Sequence, residues 1–119
     1  MERDLDARFL DYGARVIRLV GALPKTLVGK RIGDQLLRSG TSVGAHYEEA
    51  QGAESKEDFV HKLQLALKEM RESHYWLRLL AQSATVAPAK LNTLIDESTQ
   101  LRSILSKAVA TAKRKDKPT

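Results

Sequence analysis

The 119-residue chain has no cysteine. That excludes a disulfide framework and thiolate metal sites, and it suits a reducing, cytoplasmic setting. It also has no run of about 18 apolar residues, so no membrane-spanning helix is expected. The opening MERDLDARFLDYG is charged and lacks the apolar run of a secretory signal. No stretch alternates apolar and polar residues over a useful length, so no sheet is expected. Catalytic signatures are missing as well. The chain has no Glu-x-x-His, the pair a di-iron bundle needs twice. It has no Gly-x-Ser-x-Gly elbow and neither of the glycine-rich phosphate loops, GxxxxGK[ST] and GxGxxG. No cofactor and no catalytic or metal-binding residue is expected.

What the chain does have is four helical seams with apolar positions spaced alternately four and three apart. The first is Leu5, Phe9, Tyr12, Val16, Leu19 and Leu23, stopped by Pro24. The second is Ile32, Leu36, Ser39, Val43, His46 and Ala50, with Gly52 placed to end it. The third is Phe59, Leu63, Ala66, Met70, Ser73, Leu77 and Leu80, preceded by Ser55 with Asp58 three residues on, a capping-box pattern. The fourth is Leu91, Leu94, Ser98, Leu101, Leu105, Ala108 and Ala112, with Pro88 in its first turn. The spacing predicts helices over about 3–23, 26–52, 56–83 and 88–112, joined by short connections. That is an all-α, up-and-down antiparallel four-helix bundle, followed by a basic, disordered tail over 113–119.

The second segment raises a question at RSGTSVGAHYEEA, residues 38–50. Glycine inside a helix costs about 1 kcal/mol relative to alanine. Yet Gly33, Leu37, Gly40 and Gly44 are spaced 4, 3, 4 and form one row beside the main seam. Such a row lets another helix approach closely, from the same chain or from a neighbouring subunit. Tyr75 and Trp76 lie off the third seam and are candidates for the same kind of contact, or for the edge of the bundle. Asp58 and His61 are the nearest approach to a metal pair, but they face outward when Phe59 and Leu63 face inward. His46 falls on the inward seam and is expected to be a buried, hydrogen-bonded histidine.

The net charge is +5. Residues 84–119 hold seven basic and three acidic residues, and so carry +4 of it. Arginines recur seven apart, as Arg8 and Arg15, Arg31 and Arg38, Arg71 and Arg78. Several bases have an acid four residues upstream: Asp4 before Arg8, Asp11 before Arg15, Asp34 before Arg38, Asp58 before Lys62. These pairs are expected to support their own helices. Arg78, Arg102, Lys107, Lys113, Arg114, Lys115 and Lys117 have no such partner and are the candidate phosphate contacts.

The stretches RSGTSVGAHYEEA (38–50), KEDFVHKLQLALKEMRESHYWLRLL (56–80) and RFLDYGARVIRLVGALPK resemble a bacterial four-helix-bundle family. It includes proteins encoded in intervening sequences of 23S ribosomal RNA genes. A related protein is the accessory variability determinant of diversity-generating retroelements. The resemblance covers nearly the whole chain. It implies a left-handed up-and-down bundle, a homopentamer, and a scaffold or binding role rather than catalysis. RNA or DNA, and a reverse transcriptase or other nucleic-acid enzyme, are the partners it suggests. Five such chains would carry about +25, a charge that suits a polyanion. The family often has Asn where this chain has His46, which raises a pH-sensitive core or interface as an expectation. The alternative is an assembly module that binds no nucleic acid.

Overall fold

The helix ends are set by a few identifiable side chains. In the computed structural model, which describes residues 2–116 and the side chains of 4–114, four helices account for almost all of the chain. They are α1 (Glu2–Gly21), α2 (Leu27–Gln51), α3 (Lys56–Gln82) and α4 (Asn92–Asp116), with one 3₁₀ turn, Pro88–Lys90, ahead of α4. No strand occurs among the described residues. The Thr26 hydroxyl caps α2 by accepting from the Gly29 N–H at 3.1 Å. At Gly29 a Cβ would lie 2.0 Å from the Pro24 carbonyl oxygen, so the turn from α1 closes directly over that glycine. Ser55 caps α3 by accepting from the Asp58 N–H at 3.0 Å. The Asp58 carboxylate reaches back to the N–H of Glu54, at 3.3 Å, rather than to that of Ser55. Gly52 ends α2 with φ −101°, an ordinary right-hand value rather than a left-handed cap. The left-handed cap is at the end of α3 instead, where Ala84 has φ 57°. The Thr85 N–H returns to the Leu80 carbonyl and the Ala84 N–H to the Ala81 carbonyl, which is a Schellman closure.

Helix α4 does not stop at residue 112. It continues through Lys113 and Arg114 to Asp116, because nothing after Ala112 breaks the helix until Pro118. Lys117 lies outside the described residues, and so does the side chain of Lys115.

The helices run up and down in a bundle 52 × 22 × 21 Å. α1 packs on α2, α2 on α3 and α3 on α4, and α1 and α4 touch least. The core follows the four seams with one systematic slip. Tyr47 is buried where His46 was expected. Val60 is the more buried neighbour of Phe59, and Val109 of Ala108. All three slips occur at one end of the bundle, where α2 and α4 finish and α3 begins. A straight helix at 3.6 residues per turn drifts about 20° per heptad from a strict seven-residue repeat, which moves the seam one residue later toward the C-terminal ends of α2 and α4; the drift runs the other way at the start of α3 and does not account for Val60.

The middle of the bundle holds a layer of small polar residues. Ser39, Ser73 and Ser98, all seam positions, have no solvent exposure. Ser73 donates to the Met70 carbonyl, so the Tyr12 hydroxyl donates to Ser73 Oγ, at 2.8 Å. Burial pushes the Tyr12 phenol well above its ordinary value, against the smaller opposing effect of the Ser73 hydrogen bond. Ser39 donates to the Gln35 carbonyl at 2.8 Å. Every buried side-chain nitrogen and oxygen among the described residues is satisfied.

Candidate functional site

The glycine row receives α1 of the same chain. A Cβ at Gly40 would sit 2.9 Å from both methyls of Val16. At Gly44 it would meet Phe9 Cβ at 3.3 Å, and at Gly33 Leu23 Cδ1 at 3.2 Å. Gly40 and Gly44 therefore face seam side chains of α1, and Gly33 faces Leu23, just past the end of α1, and Val20. Leu37, the fourth member of the row, is 37% exposed. Gly13 of α1 faces Gly40 and Thr41 from the other side, so α1 and α2 approach at a point without side chains on either helix.

His46 is not a buried polar residue. Its side chain is 24% exposed, and its Nδ1 lies 3.1 Å from Glu49 Oε1. With Lys62 3.6 Å from the same oxygen, these partners hold the Glu49 carboxyl below its ordinary value, the His46 hydrogen bond most of all. The seam slip described above turns His46 outward and Tyr47 inward, against Phe9 with ring centroids 4.9 Å apart. The buried histidine is His74, one place beyond the seam residue Ser73 and 7% exposed.

Tyr75 is exposed, and Trp76 packs half-buried on its own bundle. The indole N–H donates to Glu72 at 3.0 Å, and the two rings meet edge to face at 5.3 Å. Trp76 is thus an edge of the bundle, while Tyr75 is presented to solvent.

The expected intrahelical ion pairs mostly give way to pairs between helices. Only Asp11–Arg15 forms as expected, at 3.8 Å. Arg8 reaches across to Glu97 at 2.8 Å, and that hydrogen bond raises its already high pKa. Arg38 binds Glu69, at 3.0 Å, and Glu72, both on α3. Lys62 turns to Glu49. For Arg8 and Arg38 the neighbouring helix offers carboxylates with less solvent around them than Asp4 and Asp34 of their own helices have; the exposed Glu49 that Lys62 chooses is not explained this way.

These pairs sort the charge of α3 by face. Glu69 and Glu72 face α2, where Arg38 holds them. The opposite side of α3 carries His74, with Arg71 three residues before it and Arg78 four after, all within one turn's reach. His74 Nδ1 meets Ser98 Oγ of α4 at 2.7 Å. One turn on from Ser98 is Arg102. Burial first, then the charges of Arg102 and Arg78, hold the His74 imidazole below its ordinary pKa. Two candidate phosphate contacts, Arg78 and Arg102, are therefore brought to one edge. Lys113 follows eleven residues after Arg102 and returns to nearly the same side of α4. Lys107 does not: five residues from Arg102, it points elsewhere and lines a cleft of about 550 Å³ with Lys56, Phe59, Leu63 and Ile104. Arg114 is exposed and donates to Thr111 at 3.4 Å.

An apolar groove of about 690 Å³ runs along α1 and α2. Leu10 (78% exposed) and Ile17 (55% exposed) form its ridge, over a floor that includes Gly13, Ala14, Gly44 and Ala45. The seams give no sign of it, because Leu10 and Ile17 belong to none of them. Their seven-residue spacing on one face of α1 is the signal that was there to find. Among the described residues no three His, Asp or Glu side chains are grouped as a metal ion would need. No helix among them is long and apolar enough to cross a membrane.

Comparison with known proteins agrees with this architecture. No curated protein matches the chain. A crystal structure of a protein of unknown function from the S23 ribosomal protein family of Bacteroides thetaiotaomicron is similar, with 32% identity and a TM-score of 0.77. The match covers 91% of this chain and 96% of that one. The family model described as 23S rRNA-intervening sequence protein matches residues 8–107, and the chain belongs to that family.

Proposed function

We propose that this protein is a non-enzymatic helical scaffold that assembles with copies of itself and binds RNA. The observation that carries the RNA reading is the sorting of charge on α3 and α4. Their carboxylates Glu69, Glu72 and Glu97 are engaged by Arg38 and Arg8 of the other two helices. On the far side, Arg78, Arg102 and Lys113 have no carboxylate partner among the described side chains, 4–114. A row of unpaired cations without matching acids attracts a polyanion and releases its counterions. The family's description, which refers to 23S rRNA, supports RNA as that polyanion. A reverse transcriptase or another nucleic-acid enzyme would then be a partner brought to the same RNA.

The α1–α2 groove supports assembly. A monomer seldom leaves two large aliphatic side chains such as Leu10 and Ile17 together on a face with a floor of glycine and alanine. The occupant that suits it is a helix of a second copy, and a closed ring of five is the assembly this reading adopts.

Titration of a single-stranded RNA into the full chain at low and moderate salt tests the RNA reading. Binding should weaken steeply, with a log–log slope of about −0.7 for each phosphate contacted. Absence of binding at low salt would leave an assembly module without a nucleic-acid role, the reading the apolar groove favours by itself. Removal of residues 113–119 should reduce the salt slope and leave assembly intact, since the groove lies on the other helices.

A further inference from the structure

His74 is a buried histidine with a defined proton. Ser98 Oγ donates its only hydrogen to the Ile95 carbonyl at 2.6 Å. It can therefore only accept from the imidazole, so the Nδ1 of His74 carries a hydrogen. In the neutral ring Nε2 is then a bare lone pair. It has no partner among the described residues, and no buried polar atom among them is left unsatisfied, so Nε2 reaches solvent. Its charged neighbours are cations: Arg71 and Arg78 on its own helix, three residues before it and four after, and Arg102 on α4. Of the carboxylates in the middle of those helices, Glu69 and Glu72 are held toward α2, Glu97 toward α1, and Asp96 is bonded to Gln100.

α3 and α4 run antiparallel, so Arg78 lies one turn along the seam on one side of the His74–Ser98 contact and Arg102 one turn along on the other. The two turns are about 11 Å apart along the bundle, a span that two arginine side chains can close upon one group. An anion between them meets guanidinium donors from both sides and Nε2 in the middle. A bare lone pair would repel that anion, whereas a protonated Nε2–H would donate to it.

On the reading that the partner is RNA, we propose that the α3–α4 edge at His74, Arg78 and Arg102 is a phosphodiester contact that takes up one proton at His74 Nε2 as it fills. The proton comes from solvent, and Nδ1–H stays on Ser98 throughout. Without an anion the two arginines oppose protonation; with one bound, the anion's charge offsets theirs. Binding at this point is therefore stronger at lower pH, by up to about tenfold for each pH unit, the limit for a single proton.

The test is the titration of the three histidines in the full chain, followed by NMR of their ring nitrogens over about pH 5 to 8. It is run in sodium chloride and in sodium dimethyl phosphate at matched ionic strength. Dimethyl phosphate is a diester that does not itself titrate in that range. The expected result is an upward shift of the His74 midpoint in the diester, absent at exposed His61. In Arg102→Gln the chloride midpoint should rise, and the diester should shift it less. No shift at His74, or the same shift at His61, would overturn the proposal. A second arm measures binding of a uridine oligonucleotide across the same pH range. Binding that does not change with pH would overturn the proton link and leave RNA as the partner. A shift with dimethyl phosphate, but no oligonucleotide binding at low salt, would keep the site and reject RNA.

Discussion

Gly40 and Gly13 face one another across the α1–α2 contact, and a methyl group should have opposite effects at the two. Gly40→Ala would drive a Cβ to within 2.9 Å of two carbons of Val16, a β-branched side chain with little rotamer freedom. The strain of overpacking, about 1–3 kcal/mol, should exceed the gain of about 1 kcal/mol in helix propensity, so the variant melts lower. Gly13→Ala meets nothing closer than 3.9 Å and should gain up to about 1 kcal/mol. Paired thermal melts read both signs. If the two variants moved together, the α1–α2 contact would not be the reason for the glycine row.

His74 makes stability depend on pH. Its folded pKa lies below the ordinary 6.5, so as pH falls the unfolded chain takes up the proton first. The stability tied to the neutral ring is complete above about pH 6.5 and is lost as pH drops from there through the folded value. Melting in chloride buffer should therefore fall as pH drops below about 6.5, and His74→Gln should flatten that fall. Glu49 acts in a lower window. Its carboxyl is held below 4.5, so its contribution is present above that value and fades as pH falls beneath it. A melting temperature unchanged across the His74 window would mean that the ring is not held neutral by its burial.

At the scale of the element, the ends of the helices carry most of the local detail. Ser55 and Thr26 are legible as caps, because a side-chain oxygen three residues ahead of an orphan N–H is a sequence feature. Ala84 is not legible. Its left-handed conformation follows from the Schellman closure onto Leu80, and alanine gives no hint of it. An L-residue there costs about 1–2 kcal/mol relative to its relaxed state, so Ala84→Gly should raise the melting temperature, less what glycine adds to unfolded-chain entropy. A lower melting temperature would show that the loop tolerates alanine without strain. The end of α4 is also an element-scale matter. The basic cluster KRK reads as tail by charge, but three long side chains on an intact backbone continue a helix readily, and α4 runs to Asp116.

For the whole molecule, the question is what covers the groove at Leu10 and Ile17. If a second copy covers it, mass measurement in solution should give a multiple of 13.3 kDa, five for a closed ring. Ile17→Asp should break that assembly and leave helical content unchanged, because Ile17 supports no contact in the core of its own chain. A wild-type monomer at micromolar concentration would remove self-assembly from the proposed function. The ion pairs are also a property of the whole. Arg8, Arg38 and Lys62 each have an upstream acid in sequence, and each chooses a carboxylate on another helix. Only Arg15 keeps its own-helix partner. Those choices clear the acids from the His74 edge.

The sequence alone determined the class of the fold, the four helices and most of the core, because apolar spacing near 3.5 residues allows no other secondary structure to bury those positions. It also determined that the glycine row would lie against a helix, since three glycines in one line have no local reason to persist in a helix. Tertiary structure decided which helix that was, α1 of the same chain. It also decided between His46 and His74, a matter of a single residue of phase. The small drift of a straight helix against a heptad pattern accumulates over 25 residues of α2 until His46 turns out and Tyr47 turns in. Pattern gives the face of a helix to within one residue, and only packing against real neighbours says which residue of the pair goes inside.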